Sequence, residues 1–165
     1  MKLRHASIED LDAIAAVEAV CFPKAEAATK ELFRARLECY PRHFHLLEDG
    51  EILVGFINGM VTDMEHLSDS MYEDAGLHNE AGQWQMIFGV DVIPGYRGRG
   101  CAGILLQQMI ADAREQGRKG LVLTCKERLV PLYARFGFRN EGLSQSMHGG
   151  VAWYEMRLVF DPSGE

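Results

Sequence analysis

A glycine- and arginine-rich turn is the part of the sequence whose residue types most clearly predict chemistry. It follows an apolar run that ends at Val92 and leads directly into a helical pattern. The first backbone N–H groups of a helix have no partner within the helix and carry the positive end of its dipole. Glycines let phosphate groups approach these amides, and arginines add positive charge beside them. The predicted pyrophosphate contacts are Arg97, Gly98, Arg99, Gly100, Cys101, Ala102 and Gly103.

The spacing in this turn matches three phosphate-loop templates. Gly98, Gly100 and Gly103 fit the G-x-G-x-x-G dinucleotide fingerprint, but too few residues follow them for a doubly wound sheet. Gly95 and Gly100 fit the start of a Walker A loop, whose lysine and serine or threonine are replaced here by Cys-Ala. The third template, R/Q-x-x-G-x-G/A, is filled by residues 97–102.

Two motifs in this order resemble the GNAT superfamily of acetyl-CoA-dependent N-acetyltransferases. Residues 97–102 are similar to its acetyl-CoA motif, and residues 129–138 to its next motif, a short helix with a tyrosine followed by Gly-Phe. The likeness covers nearly the whole chain and is greatest to the arylalkylamine (serotonin-type) enzymes and their bacterial relatives, through residues 21–28, 125–133 and 135–138. The resemblance implies one domain over residues 1–165. It also implies a mostly antiparallel twisted sheet with a central parallel βαβ pair that splays to hold acetyl-CoA.

The resemblance further implies that an amine nitrogen attacks the thioester directly. The amine must first lose a proton, because an alkylammonium group has a pKa of about 10 and is no nucleophile. The resemblance places the Tyr133 hydroxyl at the coenzyme sulfur, where it would assist the leaving thiolate. The alternative is a core tyrosine whose hydroxyl bonds locally. A backbone N–H between Val90 and Val92 would bind the developing oxyanion, with the pantetheine arm along Val90, Asp91 and Val92.

The resemblance does not extend to the proton acceptor. The vertebrate serotonin enzymes carry two histidines on this strand, whereas Met86 and Phe88 stand at those positions here and accept no proton. Glu26 resembles a glutamate that insect arylalkylamine enzymes use in the same segment; the alternative is a helix-terminal charge. Two further candidates that could reach the amine through water are His78 and Glu80. Asp91 would lie on the strand face opposite Met86 and Phe88, where we expect it to be exposed or hydrogen-bonded.

The expected substrate is a small primary amine with an aryl-alkyl or polyamine-like body. Its pocket would be bounded by residues 21–28, 60–64 and 62–82. The expected apolar walls are Phe22, Phe33, Met86 and Phe88, and the expected carboxylates are Glu26, Asp63 and Glu65. Two alternatives remain: an acetyltransferase that acts on a protein lysine or N-terminus, and a non-catalytic acyl-CoA-binding regulatory domain.

The composition is typical of a soluble globular protein and limits the partners. The chain has 165 residues, 47% of them apolar, and a formal net charge of −7, which argues against nucleic acid as the main partner. Its four cysteines show no metal-ligand spacing, which predicts reduced thiols, a cytoplasmic location and no bound metal. The sequence has neither a signal-peptide pattern nor an apolar run of about 20 residues, so we expect no membrane association. A monomer or a homodimer is expected.

Hydrophobic periodicity predicts the elements that position these residues. Ser7 and Asp10 predict the start of a helix that runs to Cys21. Asp49-Gly50 predicts a hairpin between strands 44–48 and 52–61. Strand 84–92, helix 100–116 and strand 121–125 would form a parallel βαβ unit. The other predicted elements are strand 2–5, a helix that ends before Pro41, a loop or short helix over 62–82, helix 128–136, a strand from Phe138 and strand 152–160. The sum is a mixed α/β sandwich.

Overall fold

The computed structural model describes residues 1–146 and 148–161, which form nine strands and five α-helices. The strands are β1 (Lys2–His5), β2 (Phe44–Asp49), β3 (Ile52–Asn58), β4 (Val61–Thr62), β5 (Trp84–Ile87), β6 (Gly89–Val92), β7 (Gly120–Cys125), β8 (Arg139–Leu143) and β9 (Tyr154–Val159). The helices are α1 (Leu11–Cys21), α2 (Lys30–Cys39), α3 (Asp69–Glu73), α4 (Cys101–Glu115) and α5 (Val130–Ala134). Within these two ranges, no helix is both long and apolar enough to cross a membrane.

The strands form two sheets whose pairing confirms the predicted mixed α/β architecture. The first sheet has the order β1-β2-β3-β6 and is antiparallel throughout. The second has the order β4-β5-β7-β9-β8, in which β5 and β7 are parallel and the other neighbours are antiparallel. Helix α4 lies between β6 and β7 in the chain, so it forms the crossover of the predicted βαβ unit.

Two predicted strands are each divided between the sheets. In the segment 84–92, β5 pairs with β7 and β6 pairs with β3, with Phe88 between them. In the segment 52–61, β3 joins the first sheet and β4 the second, and a Cβ on Gly59 would lie 1.8 Å from the Met86 carbonyl oxygen. The prediction of two single strands is therefore wrong, because periodicity indicates the faces of a strand and not its partners. As a result β6 and β7 belong to different sheets, and a gap lies between them.

Helices cover both faces of the first sheet. Phe56 of β3 belongs to the apolar cluster that contains Ile14 of α1 and Phe33 of α2. The next residue, Ile57, belongs to the cluster that contains Leu105 of α4. Since successive side chains of a strand point to opposite faces, α1 and α2 lie on one side of the sheet and α4 on the other. The residues of β3 from Val54 to Asn58, and Asp91 and Val92 of β6, are therefore buried.

A Phe33→Ala variant is expected to lower the free energy of unfolding by about 3–5 kcal/mol. Phe33 is 0% exposed, and its ring meets Phe44 and Phe56 edge-on at centroid distances of 6.4 and 5.7 Å. Its removal would leave a cavity in the core beneath α2. Chemical denaturation measures the loss, with Leu77→Ala, at a side chain 45% exposed, as the control. Equal losses in the two variants would contradict the packing argument.

Candidate active site

A cavity of about 390 Å³ opens in the gap between β6 and β7. Gly89, Val90 and Val92 line it from β6, and Thr124 and Cys125 line it from β7. Its other walls come from α1, the segment before α2, α2 itself, the end of β3, α3, the turn before α4 and its start, the residues around α5 and those before β9. The cavity therefore lies where the two sheets separate, beside the predicted phosphate-binding turn.

The edge of β6 that faces this gap carries main-chain groups that β3 does not use. The Ile93 N–H donates to the Val54 carbonyl of the first sheet at 2.9 Å. Along an antiparallel strand the amides alternate between the partner and the opposite side, so in this register the N–H groups of Val90 and Val92 face the gap. An extended ligand can bond such an edge as a further strand would.

Two glycines in the turn before α4 have left-handed backbone conformations. Gly98 has φ of 78°, and Gly100, the N-cap of α4, has φ of 82°. Residues with side chains rarely adopt these angles. A Cβ built on either glycine would meet no atom within 4 Å, so the turn is open to a ligand at both positions. Ala102, in the first turn of α4, lines the cavity.

The two arginines of the turn take different positions. Arg97 lines the cavity, and its Nε donates to the Val92 carbonyl at 2.9 Å. Arg99 is exposed, and its guanidinium lies 4.9 Å from the centroid of the Tyr96 ring. The turn that leads into α4 thus carries two positive side chains, one at the cavity and one exposed. This arrangement has the charge and the open backbone that a pyrophosphate group requires.

At two of the predicted pyrophosphate contacts, Cys101 and Gly103, the side-chain direction points into the packed interior. The Cys101 side chain is 2% exposed and lies in the core cluster beneath α4, so only its main chain is at the helix start. At Gly103, an added Cβ would lie 3.1 Å from the Phe136 ring, so glycine at this position permits close packing of α4 on that ring. The expectation that Cys101 fits against phosphates is corrected, because helical periodicity turns its side chain inward.

Tyr133 reaches the cavity from α5, as the motif predicts. Its side chain is 8% exposed, and its ring packs edge-on against Phe138. Burial, with a smaller contribution from Cys125, raises the pKa of Tyr133 well above its ordinary value. The phenol therefore keeps its proton at neutral pH and can donate it. Its place at a coenzyme sulfur stays a prediction.

Glu26 also lies in the cavity wall, but its carboxylate is held in an ion pair. Lys126 Nζ lies 2.9 Å from Glu26 Oε1 and 3.1 Å from Oε2. A proton on Glu26 would break this pair and leave a partly buried ammonium group without its partner. The position of Glu26 thus agrees with the prediction, whereas its pairing gives it a structural task that competes with proton transfer.

His78 and Glu80 do not reach the cavity. His78 Nδ1 accepts the Val61 N–H at 3.0 Å, and its Nε2 donates to Glu80 at 2.8 Å. Glu80 also bonds His43 and Arg118. Burial lowers the pKa of His78, which weakens it further as a proton acceptor. Both side chains are thus committed to a polar cluster outside the cavity, and the expectation that they reach the amine is corrected.

Four aromatic side chains form one wall of the cavity. The rings of Tyr72 and His148 are stacked at 5.3 Å, and Phe88 lies 4.7 Å from Tyr72. The Tyr72 hydroxyl bonds Thr124 Oγ1 at 3.1 Å, and Trp153 Nε1–H donates to the His148 carbonyl at 2.7 Å. Of the four, only Phe88 was predicted, because Tyr72 lies far along the chain from His148 and Trp153 and no local motif includes these three residues.

Other predicted wall residues lie elsewhere. Phe22 lines the cavity as expected. Phe33 and Met86 are 0% exposed in the core, and Asp63 and Glu65 are exposed away from the cavity. Of the three segments predicted to bound the pocket, residues 21–28 line the cavity and residues 60–64 do not, so that part of the prediction is corrected. Segment 62–82 contributes Tyr72 and Glu73 of α3.

Asp91 and Glu18 form a buried carboxyl pair at the cavity. Asp91 is 1% exposed, so the expectation of an exposed aspartate is wrong, whereas the alternative of a hydrogen-bonded one remains. Its carboxyl interacts with that of Glu18, and no other described residue donates a hydrogen bond to its oxygens. Burial, and next the adjacent Glu18 carboxylate, raise the pKa of Asp91 well above its ordinary range. Glu18 is 8% exposed and lines the cavity. A signal for it existed in the sequence: Ile14, Glu18 and Cys21 share one helix face, which places a charged residue within an apolar stripe.

Comparisons with known proteins agree with this geometry. The profile of the acetyltransferase (GNAT) family matches residues 11–138. The serotonin N-acetyltransferase of Mesocricetus auratus is 30% identical over 111 residues, which are 67% of this chain and 52% of that protein, so the match spans about half of the relative's length. The loading GNATL domain of CurA from Lyngbya majuscula superposes with a TM-score of 0.83 at 18% identity, over 96% of both chains. The PaiA N-acetyltransferase of Thermoplasma acidophilum, in complex with coenzyme A, has a TM-score of 0.72 at 14% identity, over 96% of this chain and 98% of that one.

Proposed function

Because the chain belongs to the acetyltransferase (GNAT) family, we propose that it transfers an acetyl group from acetyl-CoA to the primary amine of a small aryl-alkyl or polyamine-like substrate. One observation carries the proposal: the β6 edge, the turn before α4 and Tyr133 converge on a single cavity. The serotonin enzyme and the coenzyme A complex among the similar proteins support the same chemistry.

The proposed acetyl-CoA site extends from the turn to the gap between the sheets. The N–H groups at the start of α4, with Arg97 and Arg99, would hold the pyrophosphate. The N–H groups of Val90 and Val92 would bond the pantetheine arm and stabilise the thioester oxygen as it gains negative charge. The left-handed glycines and the open space above them fit this assignment.

Tyr133 would supply the proton for the leaving sulfur. Its phenol is buried in the cavity wall and stays protonated, because burial raises its pKa. A thiolate leaves more readily when a donor transfers a proton or a hydrogen bond to the sulfur as the C–S bond breaks. Acetyl-CoA supplies the reactive thioester, and the chain supplies position, the amides and this donor.

The opposite wall of the cavity would bind the amine. Tyr72, Phe88 and Trp153 provide aromatic surfaces for an apolar body or a cationic centre. The carboxylates of Glu18 and Glu26 provide negative charge for an ammonium group. Because α3 contributes Tyr72 to this wall, the cavity is narrowed on the acceptor side, which favours a small amine over a protein chain.

Thiol release from acetyl-CoA in the presence of an amine panel tests the proposal. The panel contains aryl-alkylamines, polyamines, a lysine peptide and a peptide with a free N-terminus. We expect turnover with one or both of the small-amine classes. Turnover with peptides alone would assign a protein substrate, and binding of acetyl-CoA without turnover across the panel would identify an acyl-CoA-binding domain.

A Trp153→Ala variant is expected to raise the KM for an aryl-alkylamine about tenfold, because the ring contact and its buried area are lost. The KM for acetyl-CoA should stay near the wild-type value, since Trp153 is on the acceptor side. An aliphatic amine of equal length is the control and should lose less. Equal losses for the two amines would show that Trp153 does not contact the aryl group.

A further inference from the structure

Glu18 presents a carboxylate to the cavity from α1. It lines the cavity, as do Cys21 and Arg36, and its Oε2 accepts the Ala28 N–H at 2.9 Å. That hydrogen bond fixes the carboxylate through the segment that leads to α2. A carboxylate in this place can meet a proton on a ligand in the cavity without moving away from the wall.

Asp91 lies behind Glu18, on β6. Its carboxyl group adjoins that of Glu18, which after burial is the main cause that raises the pKa of Asp91, and no other described residue donates a hydrogen bond to its oxygens. Two carboxylates cannot bond each other, whereas a carboxylic acid and a carboxylate can, so the pair holds one proton. Asp91 does not line the cavity. The proton therefore belongs on the inner residue, and the outer residue is left as the acceptor.

We infer that Glu18 is the catalytic proton acceptor for the attacking amine, and that Asp91, which shares a proton with it, positions the Glu18 carboxylate. The inference rests on the proposed function. Glu18, which no sequence motif indicates, thereby takes the role that was predicted for Glu26.

The surrounding charges suit this assignment. Arg36 of α2 is 2% exposed, and its guanidinium bonds Asn58 Oδ1 at 3.0 Å and the Tyr72 carbonyl at 2.9 Å. One negative charge on the carboxyl pair balances this buried cation. Three further titratable groups interact with the pair, Cys21 of α1, Tyr72 of α3 and Tyr133 of α5, and all three are neutral in their protonated forms. The same cavity is also lined by Glu26, which is paired with Lys126, and by Glu73, Arg97, Arg128 and His148.

Two groups of the chain, Glu18 as acceptor and Tyr133 as donor, account for the protons that are transferred. The ammonium group of the substrate gives one proton to the Glu18 carboxylate, and its nitrogen then forms a bond to the acetyl carbon while the C–S bond breaks. Tyr133 gives its proton to the leaving sulfur. The nitrogen then loses its second proton, which returns the Tyr133 phenol to its protonated form. Glu18 returns its proton to solvent after the products leave, so one amide, one thiol and one proton are formed.

Glu18→Gln tests the inference directly. We expect kcat to fall about 100-fold and the acid limb of its pH profile to disappear, because the amide accepts no proton. The dissociation constant of acetyl-CoA should stay within about twofold. Glu38→Gln, at an exposed position of α2 outside the cavity, is the control and should match the wild-type protein. An E18Q turnover within about threefold of wild type would overturn the inference.

Asp91→Asn separates positioning from proton transfer. The asparagine amide donates to Glu18 as the shared proton does, so most of the turnover should remain. In the wild-type protein, infrared spectroscopy should show the carbonyl stretch of a buried carboxylic acid at neutral pH, and this band should be absent in D91N. If the wild-type protein lacks this band, Asp91 and Glu18 do not share a proton, and that part of the inference is overturned.

Two further outcomes separate this inference from the proposed function. Wild-type protein that binds acetyl-CoA but acetylates no amine would overturn both, whereas an active E18Q variant would overturn only the base. If E18Q does not fold, Glu18→Asp retracts the carboxylate but keeps its charge, and wild-type turnover in E18D would overturn the inference. Loss of the acid limb in Glu26→Gln, with the limb intact in E18Q, would return the role to Glu26.

Discussion

A Tyr133→Phe variant is expected to lose about 100-fold in kcat while its affinity for acetyl-CoA stays near the wild-type value. The substitution removes one hydroxyl and keeps the ring that packs against Phe138. General acid catalysis contributes about 100-fold or more where the leaving group is basic. Because burial raises the pKa of Tyr133, its phenol should cause no alkaline limb in the wild-type rate profile near neutral pH. Steady-state rates and calorimetric binding of acetyl-CoA measure the two effects.

The leaving group offers a sharper test of the same role. An acetyl thioester of a more acidic thiol needs less protonation of its sulfur, so the loss in Tyr133→Phe should shrink with such a donor. The matched control is Tyr40→Phe, at a buried tyrosine outside the cavity whose hydroxyl has no partner among the described residues. Tyr40→Phe should leave the turnover with both thioesters unchanged. An equal loss with both thioesters would show that Tyr133 serves the structure and not the leaving sulfur.

Local motifs predicted those parts of the site that lie within one short segment. The turn from Arg97 to Ala102 and the motif around Tyr133 are each contained in about ten residues, so their spacing already determines which groups lie together. The aromatic wall differs, because Tyr72 of α3 meets His148, from the segment before β9, only in the folded chain. No spacing within the sequence could identify them.

Asp91 shows why the assignment of a residue to a strand does not by itself give the environment of its side chain. Successive side chains of a strand point to opposite faces of the sheet, and a polar side chain usually lies on the face that is exposed to solvent. Here α1 and α4 both pack against β6, so helices cover both faces of this strand. Burial then forces the Asp91 carboxyl to share a proton with a residue from α1, a partner 73 positions earlier in the numbering of the chain. The same double coverage explains why an apolar run over 84–92 gave no sign of its division into β5 and β6.

The second large effect is expected from a negative charge in the first turn of α4. Ala102 lines the cavity one residue after Cys101, the first residue of that helix. A glutamate there would lie next to the proposed pyrophosphate. Two like charges about 5 Å apart repel by about 3 kcal/mol at an effective dielectric constant of about 20, which corresponds to roughly 100-fold weaker binding. We therefore expect Ala102→Glu to raise the dissociation constant of acetyl-CoA about 100-fold.

The stability of this variant should move in the opposite direction from its affinity. An acidic side chain near a helix N-terminus interacts favourably with the helix dipole, so Ala102→Glu should unfold at the wild-type temperature or slightly above it. Loss of binding therefore cannot be attributed to loss of fold. Ala102→Gln has nearly the same size without the charge and should retain most of the affinity, and Ala111→Glu places the charge at an exposed position further along α4. If the glutamine and glutamate variants at Ala102 bind acetyl-CoA equally, the pyrophosphate does not lie over this turn.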